Sequence, residues 1–106
     1  MSTDFTAGTD SINAQNLGFT GVQPAYVAGN ALNAATKPVL TFDNAASATV
    51  VGPGAAGTAG LRGTPKKFAS AANGAGTVDV VGTMTLNAPT STPAGTYKAT
   101  VTFTVL

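Results

Sequence analysis

From Gly95 to Val105 the chain alternates without a break between two kinds of residue, and that alternation restricts what this stretch can become. Tyr97, Ala99, Val101, Phe103 and Val105 fall on one side, with Thr96, Lys98, Thr100, Thr102 and Thr104 on the other. Successive side chains of a strand point to opposite faces, whereas a helix turns about 100° per residue and would scatter this pattern around its circumference. The segment is therefore expected to be a long strand whose Tyr97-to-Val105 face meets a core. Thr77 to Asn87 repeats the device, with Val78, Val80, Met84 and Leu86 inward and Thr77, Asp79, Thr83 and Thr85 outward. Gly82 falls on the apolar side, where a missing side chain marks a bulge or the close approach of a neighbouring chain. Between the two lies Ala88 to Ala94, with Pro89 and Pro93, too long and too rigid for a two-residue hairpin and more suited to crossing between sheets.

Upstream, Pro38 to Asp43 reads as a short strand with Leu40 and Phe42 inward, and Ala46 to Val51 reads as its partner across Asn44–Ala45. Leu17 to Val22 and Ala25 to Ala28, separated around Pro24, read as two short strands or one broken edge strand. Ala31 to Thr36 has room for a single turn, and no helix-period stretch with caps appears. The 25 residues from Gly52 to Gly76 carry little periodicity, so they are either a working loop or hide a strand. Asn73–Gly74 is a tight-turn signal, placed to start a hairpin into Thr77. The expectation is one all-β domain over residues 1–106, an immunoglobulin-like or jelly-roll β-sandwich of about six to seven strands. Residues 1–16 are expected as an extended arm and residues 52–76 as a long Gly/Ala-rich loop.

Ala, Gly and Thr supply 51 of the 106 residues, while Val, Ile, Leu and Phe supply 22, so any core must be thin. Disorder would need high net charge as well, and the net charge here is +1. Charged residues make up 8% where roughly a quarter is usual. A surface of Thr, Ser and Asn with so few solubilising charges suits a protein packed against copies of itself or against a larger particle. No apolar run reaches the length of about 18 residues needed for a membrane helix. The N-terminus MSTDFTAGTD lacks the basic start and apolar stretch of a signal peptide.

The chain has no His, no Cys and no Glu, which leaves Asp4, Asp10, Asp43 and Asp79 as the only carboxylates for acid–base work. No enzyme, catalytic residue, cofactor or metal is expected. Asp4 to Asp10, spelled DFTAGTD, brackets a Gly with two carboxylates but lacks the further ligands of a calcium loop, and reads as a solvated turn. Arg62, Lys66 and Lys67 hold three of the five positive charges within six positions. They are the candidate interaction residues, suited to an anionic wall polymer; read more plainly, they keep a Gly-rich loop soluble. Nucleic acid is an anionic surface these cations could also touch, but it is the less expected partner, and GTAGLRGTPKK, without the Gly-Lys-Ser/Thr ending, is not a phosphate loop.

Val81-Gly-Thr-Met-Thr-Leu-Asn-Ala-Pro, followed by Thr92-Pro-Ala-Gly-Thr-Tyr-Lys-Ala-Thr-Val-Thr-Phe-Thr-Val, resembles the ending of several bacterial surface β-sandwich families. These are fimbrial subunits of the spore-coat-U type, related pilin subunits and WxL cell-wall-binding domains, in which a turn like Pro93 to Tyr97 opens the last strand. The resemblance covers about a quarter of the chain, which departs from those families in having no Trp and no Cys. It implies an extracellular immunoglobulin-like sandwich and, for residues 1–16, an extension that completes a neighbour's sheet. The functional expectation is a non-enzymatic structural or adhesive building block of a bacterial extracellular surface or filament. The alternative is a bacteriophage particle component, a capsid decoration or tail protein in the virion.

Overall fold

A computed structural model describes residues 1–28, 33, 35–42 and 46–105. The chain is all-β, with six strands and a single 3₁₀ turn among the described residues. In chain order these are β1 (Phe5–Ala7), β2 (Asp10–Ile12), the 3₁₀ turn Ala14–Asn16, β3 (Leu17–Ala28), β4 (Leu40–Phe42), β5 (Ala69–Ala71) and β6 (Thr77–Leu86). They pair as three antiparallel two-stranded sheets, β1–β2, β3–β6 and β4–β5. The molecule is elongated, 52 × 23 × 20 Å, with a radius of gyration of 16.6 Å, against about 13 Å for a compact domain of this length.

The N-terminal hairpin turns on Gly8–Thr9, with Ala7 opposite Asp10. Gly8 has φ +60 while Thr9 does not enter the left-handed region, the combination of a two-residue turn with Gly in first place. Beyond it the chain enters its most buried stretch, Ile12 to Gly18. Asn13 caps the 3₁₀ turn, its Oδ1 accepting from the Gln15 amide at 2.9 Å. A turn this short cannot satisfy its own ends, so the amide side chains do it.

Around this turn the supposed loop is wound. Asn16 donates from Nδ2 to the Val51 carbonyl (3.0 Å) and accepts from the Val51 amide (2.9 Å). Asn13 and Gln15 both donate to the Ala55 carbonyl, at 2.8 and 3.2 Å. Leu61 donates its amide to the Leu17 carbonyl (2.8 Å), and Phe19 donates to Ala46 (2.9 Å). Gly60 sits at φ +56, where a Cβ would run into the Gln15 carbonyl, so glycine is required at that crossing. Leu17, Ala46 and Leu61 form the buried apolar cluster, with Phe5, Phe19 and Val101 against it. Among the described residues no buried polar side-chain atom lacks a partner.

Several expectations change. Leu17 to Ala28 is one strand, with register shifts between Thr20 and Gln23 and between Tyr26 and Ala28. Pro24 lies inside it. Ala46 to Val51 is not a strand but irregular chain bonded to Phe19, Gln15 and Asn16. Asn44–Ala45, Asp43 and the Ala31, Leu32 and Ala34 part of the expected turn lie outside the described residues. The long segment hides β5, a three-residue strand of small residues opposite β4. Asn73–Gly74 therefore makes no hairpin, because β5 pairs with β4 and β6 pairs with β3.

The two chain ends meet. Residues 1–16, expected as an extended arm, are bonded into the fold. Thr3 and Thr6 donate to the carbonyls of Thr100 (3.0 Å) and Lys98 (2.9 Å), Thr102 donates to Met1 (2.8 Å), and Ser2 donates to Leu61. Gly95 to Val105 forms isolated bridges at Lys98 and Val101 rather than a continuous ladder. Its opposite strand is interrupted, since the Thr100 amide donates to the Thr3 hydroxyl (3.0 Å) instead of a carbonyl.

Because Asn16 holds both backbone groups of Val51 from a fully buried position, Asn16→Ala should lower unfolding free energy by about 1–3 kcal/mol for each group left unpaired. The urea midpoint should fall accordingly. Thr83→Ala, on the exposed side of β6, should shift it by less than about 0.5 kcal/mol.

Candidate interaction surfaces

The three clustered cations do not act together. Arg62 turns inward, its Nε 3.6 Å from Asp4 Oδ1, and its guanidinium donates to the Ala55 carbonyl already bonded to Asn13 and Gln15. The same Asp4 oxygen accepts from the Ala14 amide at 2.8 Å. With both side chains about a third exposed or less, the ion pair itself contributes little. Its effect is geometric, since it ties β1, the amide turn and the loop to one another. Lys66 is half-buried and Lys67 exposed, and these two are the cations that the loop offers outward. Lys37 is elsewhere, its Nζ 4.8 Å from the Tyr26 ring centre.

The carboxylates are dispersed too. Asp4 is held by Arg62 and Ala14, Asp10 opens β2 after the hairpin turn, and Asp79 lies on β6. Among the described residues no three acidic, His or Cys groups come together. Two shallow depressions exist, one beside Thr9, Asp10, Pro53 and Pro93 and one beside Thr3, Asp4, Lys98 and Thr100. Each contains a single carboxylate, Asp10 in the first and Asp4 in the second.

The chain matches no protein-family model, no curated protein and no solved structure. Its surfaces must be read from their own chemistry.

The last segment keeps its alternation only part of the way. Tyr97, Ala99 and Val101 are half-buried between exposed neighbours, as the pattern predicts. Phe103 is 58% exposed and Val105 98%, which corrects the expectation that all five face a core. The backbone bonds between Thr102 and Met1 are the last to an opposite segment, and among the described residues no strand lies beneath Phe103 and Val105. Phe103 is held sideways instead, in an edge-to-face series in which Phe19 meets Phe68 (5.5 Å) and Phe68 meets Phe103 (6.0 Å). Tyr97 closes the Pro93 turn by donating its hydroxyl to the Pro93 carbonyl at 2.9 Å. That hydroxyl is held above its usual pKa, first by partial burial and second by the Asp10 carboxylate.

Further exposed apolar side chains lie on the β3–β6 ribbon, where Val27, Val81, Met84 and Leu86 are each at least 40% exposed, Val81 on the opposite face of β6 from Met84 and Leu86. Met84 and Leu86, expected to face inward, lie in solvent because among the described residues no second layer covers them. The sequence signal for the buried amide turn is the three amides Asn13, Gln15 and Asn16 set between Ile12 and Leu17.

Two outcomes test this placement. Arg62→Ala should destabilise the fold by about 1–3 kcal/mol, while Lys66→Ala and Lys67→Ala together stay within about 0.5 kcal/mol of the parent in the same denaturant titration. Ultraviolet titration should find Tyr97 ionising above about pH 10. Asp10→Asn should bring that midpoint partway down, since the burial cause remains.

Proposed function

We propose that this chain is a non-enzymatic building block whose sheets are completed by neighbouring subunits in a bacterial surface or filament assembly. The observation that carries this is the β3–β6 ribbon. A two-stranded ribbon is marginal alone in water, yet this one runs for twelve and ten residues with apolar side chains in solvent. Apolar side chains left exposed on both faces of a ribbon in a charge-poor protein suit a contact surface. The absence of His, Cys and Glu and the dispersal of the described carboxylates favour a structural role over catalysis.

On this reading the sandwich belongs to the assembly, where ribbons of adjacent copies supply the layers that a thin core cannot. The C-terminal resemblance to fimbrial and wall-binding domains supports an extracellular or cell-surface place, and Lys66 and Lys67 are suited to touching an anionic wall polymer. Residues 1–7 are bonded to Lys98–Thr102 of the same chain, so the contact between subunits is assigned to the ribbon and not to an N-terminal arm.

Light scattering on a size-exclusion column over a wide concentration series tests the proposal. The expected result is a mass that rises from 10.3 kDa to a defined multiple or to polymers. A monomer at every concentration would sink self-assembly.

A further inference from the structure

We infer that the outer edge of β6 pairs antiparallel with β6 of a second copy, centred on Gly82, to make a continuous β3–β6–β6–β3 sheet. The inference rests on the self-assembly reading and names the surface and the register it uses.

The direction of the backbone groups on β6 follows from hydrogen bonds made by β3. Leu17 gives its carbonyl to Leu61 and Phe19 its amide to Ala46, so both point away from β6. Their register partners, Leu86 and Met84, are then non-hydrogen-bonded positions of the ladder and direct their own N–H and C=O outward. The Asn87 amide donates to the Asn16 carbonyl at 2.9 Å, one residue on and facing β3, as the alternation requires. Continued along β6, the outward set is Val78, Val80, Gly82, Met84 and Leu86. Pro24 stands opposite Val80, an outward position where a residue without an N–H leaves no gap in the ladder.

The two edges of the ribbon are thus treated differently. The outer edge of β3 is covered at Leu17 and Phe19 and is blocked at Pro24, and nearby the Tyr26 side-chain hydroxyl donates to the Pro38 carbonyl at 3.1 Å. The outer edge of β6 has no hydrogen bond to any described residue beyond β3. It carries no Pro and no Lys, and spans about 34 Å. Natural edges of that length are ordinarily guarded by such residues or by a covering segment.

The occupant follows from symmetry and charge. Two-fold antiparallel pairing about Gly82 sets Val78 against Leu86 and Val80 against Met84 of the second copy, and both pairs form twice. All five outward positions then fall in hydrogen-bonded pairs, giving about ten main-chain bonds. Asp79 is the only charged residue of β6. The antiparallel register places it opposite Thr85 and keeps the two carboxylates about 20 Å apart. Parallel pairing in register would put Asp79 directly against Asp79, which is destabilising. The chain's own strand is therefore complementary to itself in one direction only.

Two measurements test this. Site-resolved hydrogen exchange on the unmodified protein should show, at dilution, slow amides at Thr83 and Thr85 and fast ones at Gly82, Met84 and Val80. On assembly the fast set should slow by at least about tenfold. In the cysteine-free chain, Val80→Cys combined with Met84→Cys should oxidise to a covalent dimer, because facing Cα atoms in such a pair stand about 5.5 Å apart. Each single variant should remain monomeric on a non-reducing gel, and positions 80 and 84 of one chain, about 13 Å apart, are too distant to join. Assembly seen by light scattering with the outward amides still fast would overturn the edge assignment and leave the building-block reading intact. Slowed amides without the cross-link would overturn the second β6 as occupant. A protein monomeric at all concentrations would overturn both.

Discussion

The amide-rich turn from Asn13 to Asn16 is the interaction on which the remaining structure depends. A chain with so few large apolar residues cannot hold a 17-residue crossing segment in place by packing alone, and the stretch from Ala46 to Arg62 is mostly Ala, Gly and Thr. Three buried amide side chains supply directional bonds where dispersion contacts are lacking, and they aim at backbone groups that have no ladder to join. The Val51 amide and carbonyl and the Ala55 carbonyl are satisfied from this one turn. Once the loop is fixed, Ala46 and Leu61 reach Leu17 and the apolar cluster closes.

Arg62 and Asp4 extend the same network to the N-terminal hairpin, and the hairpin in turn pairs with Lys98 to Thr102. The order of dependence runs from polar turn to loop to chain ends, so the fold is held mainly by hydrogen-bond geometry at one end. The β3–β6 ribbon extends from that end, with Val22 buried on it and the Tyr26 hydroxyl donating to the Pro38 carbonyl.

Legibility in the sequence tracked how much each element relied on its own pattern. β6 was readable to within one residue because period-two alternation persists over its length. The half-burial of Tyr97, Ala99 and Val101 was readable for the same reason. β5, spelled Ala-Ser-Ala, was not, since three small residues carry no alternation. Nor was the path of residues 52–62, since its partners are the side chains of Asn13, Gln15 and Asn16, some forty positions away. Arg62 looked like an outward cation because its charge is visible in sequence and its distance to Asp4 is not.

By itself the sequence determined the all-β class, the thin core and the two Thr-faced segments near the C-terminus, because strand periodicity and composition are local quantities. Which strand pairs with which was decided only in three dimensions. Asn73–Gly74 favours a hairpin, yet β6 chose β3, sixty residues earlier, since that register buries Leu17 and Phe19 beside Ala46 and Leu61. Burial of Phe103 and Val105 was likewise a matter of whether another layer lies beneath them. Alternation declares that a strand has an apolar face, and only the tertiary structure decides whether the same chain covers it.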